Sequence, residues 1–188
     1  MAQEIGFEND VTGAQSRAKG SDGRLNVSAR TDSRGYYISR DAGQAYSSVF
    51  SHTASAAGEY SFYFQNTSTT LDFVVSAIGL NSDLGAYCKL FHVTGTVAGG
   101  TAITPTNMNK DSNNDAAGTA LEHANSTAIS GLTTAGIIDY VNIPIQGHEE
   151  LRLDDRVRLG QNDAIAIEVD AVTSGTPLVF GVMFGYFE

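Results

Sequence analysis

The chain has 188 residues, a formal charge of −10, one cysteine and no tryptophan. That length suits one domain with a tail, or at most two small lobes, and the apolar share is too high for wholesale disorder. The charge argues against nucleic acid as the main partner, because binding phosphates demands clustered cations, and an anionic membrane surface would repel the acidic body.

Residues 1–43 read as an extended arm. Gly and Ser recur (Gly13, Gly20-Ser21, Gly23, Gly35, Gly43), and the apolar residues Ile5, Phe7, Leu25, Val27 and Tyr36-Tyr37-Ile38 are too sparse to fill a core. Between Val11 and Arg40 the cations Arg17, Lys19, Arg24, Arg30, Arg34 and Arg40 face only Asp22 and Asp32. Such a segment suits docking on an acidic protein surface, as an extended strand in a neighbour's groove or along a sheet edge. A plain flexible terminus fits the same residues. Met1-Ala2-Gln3-Glu4 lacks a basic and then apolar leader pattern, and no apolar run approaches the ~20 residues that span a bilayer. The expectation is a protein made in the cytoplasm that leaves it only as part of something larger.

From residue 44 onward, short strands alternate with turn signals. Ala45–Phe50 and Tyr60–Gln65 form a first pair about Ala57-Gly58, with Tyr60, Phe62 and Phe64 expected on one face by the two-residue strand period. Leu71–Ile78 follows the polar turn Asn66-Thr67-Ser68. Ala86–Thr94 then alternates Tyr87, Lys89, Phe91 and Val93 against Cys88, Leu90 and His92. Residues 95–118 hold few large apolar side chains and predict a long loop, functional or mobile. Ile137–Ile145 is apolar. Glu150–Leu159 sets Leu151, Leu153, Val157 and Leu159 against Arg152, Asp154, Arg156 and Arg158, with a bend or bulge at Asp155. Ala164–Val172 turns Ile165, Ile167 and Val169 inward. Leu178–Phe187 is apolar on both faces: Leu178, Phe180, Val182, Phe184 and Tyr186 on one, Val179, Met183 and Phe187 on the other. Gly181 and Gly185 leave room there for a backbone or an aromatic ring. A strand covered on both sides is central or lies at a subunit interface. About eight such strands predict an all-β antiparallel sandwich or jelly roll over residues 44–188.

Little here carries catalysis. Cys88 lies in the apolar run Tyr87–Phe91 and reads as a small buried hydrophobe. As the single cysteine it excludes an internal disulfide and a multi-cysteine zinc site. His52, His92, His123 and His148 stand apart, with no i, i+2 or HxxxH pair. The adjacent acids Glu149-Glu150 and Asp154-Asp155 point to opposite strand faces and make no carboxylate dyad. The Gly95–Gly100 run lacks a following Lys-Ser/Thr, and no G-x-S-x-G elbow exists. The best metal motif is Asp111, Asn113 and Asp115 at calcium-loop positions 1, 3 and 5, with Glu122 at the twelfth. Ala116 stands where that loop wants glycine and no flanking helices are expected, so a solvated Asx-rich loop competes with it. No cofactor and no enzymatic activity are expected.

One resemblance goes further. The arm segments Gly23–Arg30 and Tyr36–Asp41, the strand Tyr60-Ser-Phe-Tyr-Phe-Gln-Asn66, the loop Thr104–Asn109, Leu159–Glu168 and the terminal Phe184-Gly-Tyr-Phe187 together resemble virion structural proteins of tailed bacteriophages. They are most like jelly-roll head decoration (cement) proteins. The resemblance implies a homotrimer on the outer capsid that stabilises the head, with the major capsid protein as partner and neither nucleic acid nor membrane. Residues 1–43, with Arg17, Lys19, Arg24, Arg30, Arg34 and Arg40, would then grip acidic capsid surface, and Phe180, Val182, Phe184 and Tyr186 would contribute to the trimer interface. Two other readings stay open: a head-fibre or tail adhesion module whose 95–118 segment faces a host receptor or glycan, and a calcium-dependent carbohydrate-binding domain.

Overall fold

In a computed structural model, which describes residues 6–8, 15–17, 34–54, 58–123, 127–172 and 175–188, the chain divides into two units, residues 1–32 and 33–188. In the first, β1 (Gly6–Glu8) and β2 (Gln15–Arg17) pair antiparallel, with Phe7 opposite Ser16. Lys19, Arg24 and Arg30 lie outside the described residues, and Arg17 closes β2.

The second unit opens on a short helix, α1 (Arg34–Tyr37), that runs into a π-helical turn over Ile38–Ala42. Gly43 stops the turn in the left-handed conformation, φ 60°. Residues 34–43, expected as part of the arm, thus belong to the body. The reason is Ile38, which is buried with Ala45, Val74 and Tyr186.

The strands follow in order: β3 (Ala45–Thr53), β4 (Glu59–Asn66), β5 (Phe73–Ser82), β6 (Ala86–Ala98), β7 (Thr101–Ile103), β8 (Thr106–Asn107), β9 (Gly118–Glu122), β10 (Ser130–Ile143), β11 (Gly147–Leu159), β12 (Ala164–Ala171) and β13 (Leu178–Phe187). They form two antiparallel sheets, β10-β6-β12-β4-β9-β7 and β11-β5-β13-β3-β8. Without the short β7, β8 and β9, what remains is β10-β6-β12-β4 against β11-β5-β13-β3, the four-on-four strand order of a jelly roll.

Between the sheets lies an aromatic-rich core. Phe50 stacks on Phe62 at 4.5 Å, Phe64 meets Phe73 at a tilt at 4.4 Å, and Phe73 meets Phe187 edge-on at 4.8 Å. Each such ring, fully buried, contributes about 1.5–3 kcal/mol. β13 is central, between β5 and β3, as a strand apolar on both faces requires. Its glycines are where the rings press in: a Cβ on Gly181 would stand 2.1 Å from the Phe50 ring and one on Gly185 2.4 Å from Phe73.

Register slips at several places, among them three along β10 and one in β13 after Phe184, and two of the slips bear on the sequence reading. In β11 the pairing with β5 slips between Arg152 and Val157, and Asp154 and Asp155 carry φ of 46° and 60°. Aspartate visits this region more readily than most residues. In β4 the register against β12 shifts between Phe62 and Tyr60, leaving Ser61 as the extra residue. The expectation that Tyr60 shares a face with Phe62 and Phe64 therefore fails. Tyr60 instead meets Phe91 edge-on at 6.5 Å on the outer side of the six-stranded sheet.

The 95–118 segment is only partly a loop, since β6 runs to Ala98 and β7 and β8 follow. Among the described residues no helix is long and apolar enough to cross a membrane.

Candidate functional site

Two places in the body have chemistry to spare. The first is the outer face of the five-stranded sheet. Val49 of β3 lies opposite Val182 of β13, and Val182 faces Gly79 of β5 on its other side. Phe180 stands between Ser51 and Asn81, and Phe184 between Ser47 and Ala77. These small neighbours leave the larger side chains proud: Val49 is 67 % exposed and Phe180 49 %, while Val182 and Phe184 are half-buried. Toward one end the face continues into a groove lined by Tyr36, Met108, Phe184 and Tyr186. Tyr186 itself is buried under the Ile38 turn. Of the four residues expected at a trimer interface, three therefore present themselves on this face and the fourth is spent inside the chain.

Across β5 from the apolar strip, β11 lines its outward row with His148, Glu150, Arg152, Asp154, Arg156 and Arg158, all exposed. Arg152 pairs with Glu150 at 2.9 Å and Arg156 with Asp154 at 3.6 Å, while Arg158 bonds Glu188. The row carries as many cations as it needs to offset its acids, unlike the chain as a whole with its charge of −10.

The second place lies where the sheets meet at one end of the sandwich. His52, near the end of β3, has a side chain only 1 % exposed. Its Nδ1 lies 2.7 Å from Ser61 Oγ, the hydroxyl that the β4 bulge delivers. Its Nε2 lies 3.3 Å from Glu59 Oε2 but is not aligned for a hydrogen bond. His123, just past β9, stacks on the His52 ring at 3.9 Å and sets its own Nδ1 3.2 Å from the Tyr60 carbonyl. Burial, reinforced by the neighbouring His123, pushes the His52 pKa down to about 4 against the pull of Glu59, so the ring is neutral. One donor atom each from His52, Glu59 and His123 falls within 4.8 Å of the other two. Two imidazoles and a carboxylate so placed can hold a cation.

The calcium-like residues are not brought together. Glu122 lies in β9, where its carboxylate accepts the Ser51 N–H at 3.0 Å. The Asx-rich loop does something else: Asn109 donates to the Ser39 carbonyl, Asn114 to that of Ala42, and Asn107 and Ser112 to that of Gly43. These bonds tie off the carbonyl end of the helical turn, which is why the segment is rich in short amides and hydroxyls.

Of the expected arm cations that are described, Arg34 pairs with Glu188 at 2.5 Å. Arg40 pairs with Asp41 at 2.7 Å and lies over the Tyr36 and Tyr37 rings. Cys88 is buried, and that burial pushes its pKa up to about 12, which makes it inert as a nucleophile. The histidine cluster is what sequence reading misses. His52 and His123 are separated by most of the first sheet-to-sheet circuit, and no local spacing signals their meeting. Compared with protein-family models, with curated proteins and with solved structures, the chain matches none.

Proposed function

We propose that this chain is a structural virion protein, a capsid decoration or cement protein that binds the outer shell as a homotrimer and stabilises the head. The observation that carries the reading is the apolar outer face of β3 and β13, with Val49 and Phe180 standing exposed. A contiguous apolar patch on a soluble body is an interface waiting for its partner. The partner that fits is a second copy of the chain. The row of β11, one strand beyond the patch across β5 and balanced in charge with Glu188, spares copies the repulsion that acidic surfaces would impose. Three copies around one axis multiply weak attachments to the major capsid protein into firm binding, and the N-terminal segment with its cations supplies those attachments.

Jelly rolls serve capsid and lectin domains alike, so the fold does not choose between them. The adhesion reading needs the 95–118 segment free to meet a receptor or glycan. The amides of Asn107, Asn109 and Asn114 already donate within the chain, which favours decoration.

The test is co-sedimentation of the full chain with shells assembled from the major capsid protein of the same virus. Saturable binding in threes, lost when residues 1–32 are removed, is the expected result. Binding to host cells without binding to shells would replace this reading with the adhesion module.

A further inference from the structure

We propose that His52, Glu59 and His123 form a binding site for a divalent transition metal, of which zinc is the best fit, and that the metal staples the two sheets together. This goes beyond the decoration reading and stands independently of it.

Three observations carry the assignment. First, the donor set is the right one. Two imidazoles and one carboxylate, with a fourth position left to water, is a recurrent zinc arrangement, and among the described residues the group has no sulfur and no further carboxylate, which argues against copper(I) or calcium.

Second, both rings are anchored in the manner of metal-bound histidines. In such sites one ring nitrogen is held by a hydroxyl, carbonyl or carboxylate, which fixes the ring and turns the other nitrogen to the metal. Here His52 Nδ1 is held by Ser61 Oγ at 2.7 Å and His123 Nδ1 by the Tyr60 carbonyl at 3.2 Å. The start of β4 thus supplies, in three consecutive residues, one ligand and both anchors. The Ser61 bulge is the local device that makes this work, because an unbroken strand would turn Ser61 away from His52.

Third, His52 Nε2 is buried with no hydrogen-bond partner while a carboxylate oxygen sits 3.3 Å away. In the tautomer that donates Nδ1–H to Ser61 Oγ, Nε2 presents a lone pair toward that carboxylate, an arrangement that costs free energy unless a cation lies between them.

To ligate, the donors must close on one another and the stacked His52 and His123 rings, 3.9 Å apart, must splay. The donors now lie within 4.8 Å of one another, and tetrahedral zinc with bonds of about 2.0–2.2 Å asks for separations of roughly 3.3 Å. Because β3 belongs to one sheet and β4 and β9 to the other, the metal would cross-link the sandwich at that end.

The test uses the full chain, freed of metal with a chelator and titrated with zinc chloride by calorimetry, with cobalt(II) as spectroscopic probe. Expected are one ion per chain, the visible absorption of a four-coordinate cobalt site, and a melting temperature raised by about 5–10 °C at a hundredfold excess over Kd. His123→Ala should abolish binding, Glu59→Gln should weaken it at least about tenfold, and His148→Ala should leave it unchanged. Glu59→Gln preserves shape and carries the test should a histidine variant fail to fold, with circular dichroism confirming each fold before titration. No saturable zinc binding, or binding untouched by both His123→Ala and Glu59→Gln, would overturn the proposal.

Discussion

His52 stores a stability dependence on pH in a single ring. In metal-free protein its folded pKa of about 4 lies below the unfolded value of 6.5. The unfolded chain therefore binds the extra proton first. The stabilisation is fully present above pH 6.5 and is lost as pH falls from there toward 4, amounting to about 3 kcal/mol. The groups facing the ring are Glu59, which opposes the shift, and His123, which adds to it. Chemical denaturation in chelator between pH 7 and pH 4 should show this slope, and His52→Gln should flatten it. Gly181 is a second decisive position. Its missing side chain is filled by the Phe50 ring, and a Cβ there would sit 2.1 Å from that ring. Gly181→Ala should cost roughly 1–3 kcal/mol by overpacking, read as a lower urea midpoint with an unchanged slope. This demand was legible in the sequence, since a two-faced apolar strand interrupted by glycines calls for something to approach its backbone. That the intruders are Phe50 and Phe73 was not, because ring partners are set by strand order.

At the scale of elements, most of the eight long strands were readable from two-residue alternation or apolar runs, whereas the short β7 and β8 fell in a segment expected as a loop, and β3 and β4, expected to pair, lie in different sheets. Even the break at Asp155 was visible, as an extra acid in an otherwise regular run. The Ser61 bulge was not, because serine fits either face and nothing in Tyr60-Ser61-Phe62 marks the slip. The helical turn at residues 34–42 escaped for a different reason. Its stability comes from donors some seventy residues away in sequence, in the 107–114 loop. The same bonds explain why a loop with calcium-like spacing is a clamp. Asn114→Ala removes the side-chain donor to Ala42 and should cost about 1 kcal/mol. Hydrogen exchange should then accelerate over residues 34–43 and remain unchanged in β12, at the centre of the other sheet. A global acceleration would mean the clamp is part of the cooperative core.

Over the whole molecule, the sandwich follows from pattern, whereas the sites follow from topology. That Phe180, Val182 and Phe184 share the outer face of β13 could be named in advance, because one face of one strand is a local property. Tyr186 could not be separated from them, since its cover comes from Ile38 at the other end of the body. His52, Glu59 and His123 meet only once the strands are ordered, so no reading of spacings finds them. The central claim is that the apolar face of β3 and β13 joins copies of the chain, and it is tested most directly by light-scattering mass of the full chain beside Phe180→Glu. A trimer for the parent and a folded monomer for the variant is the expected result. A parent that is monomeric at every concentration, or a variant that remains trimeric, would contradict it.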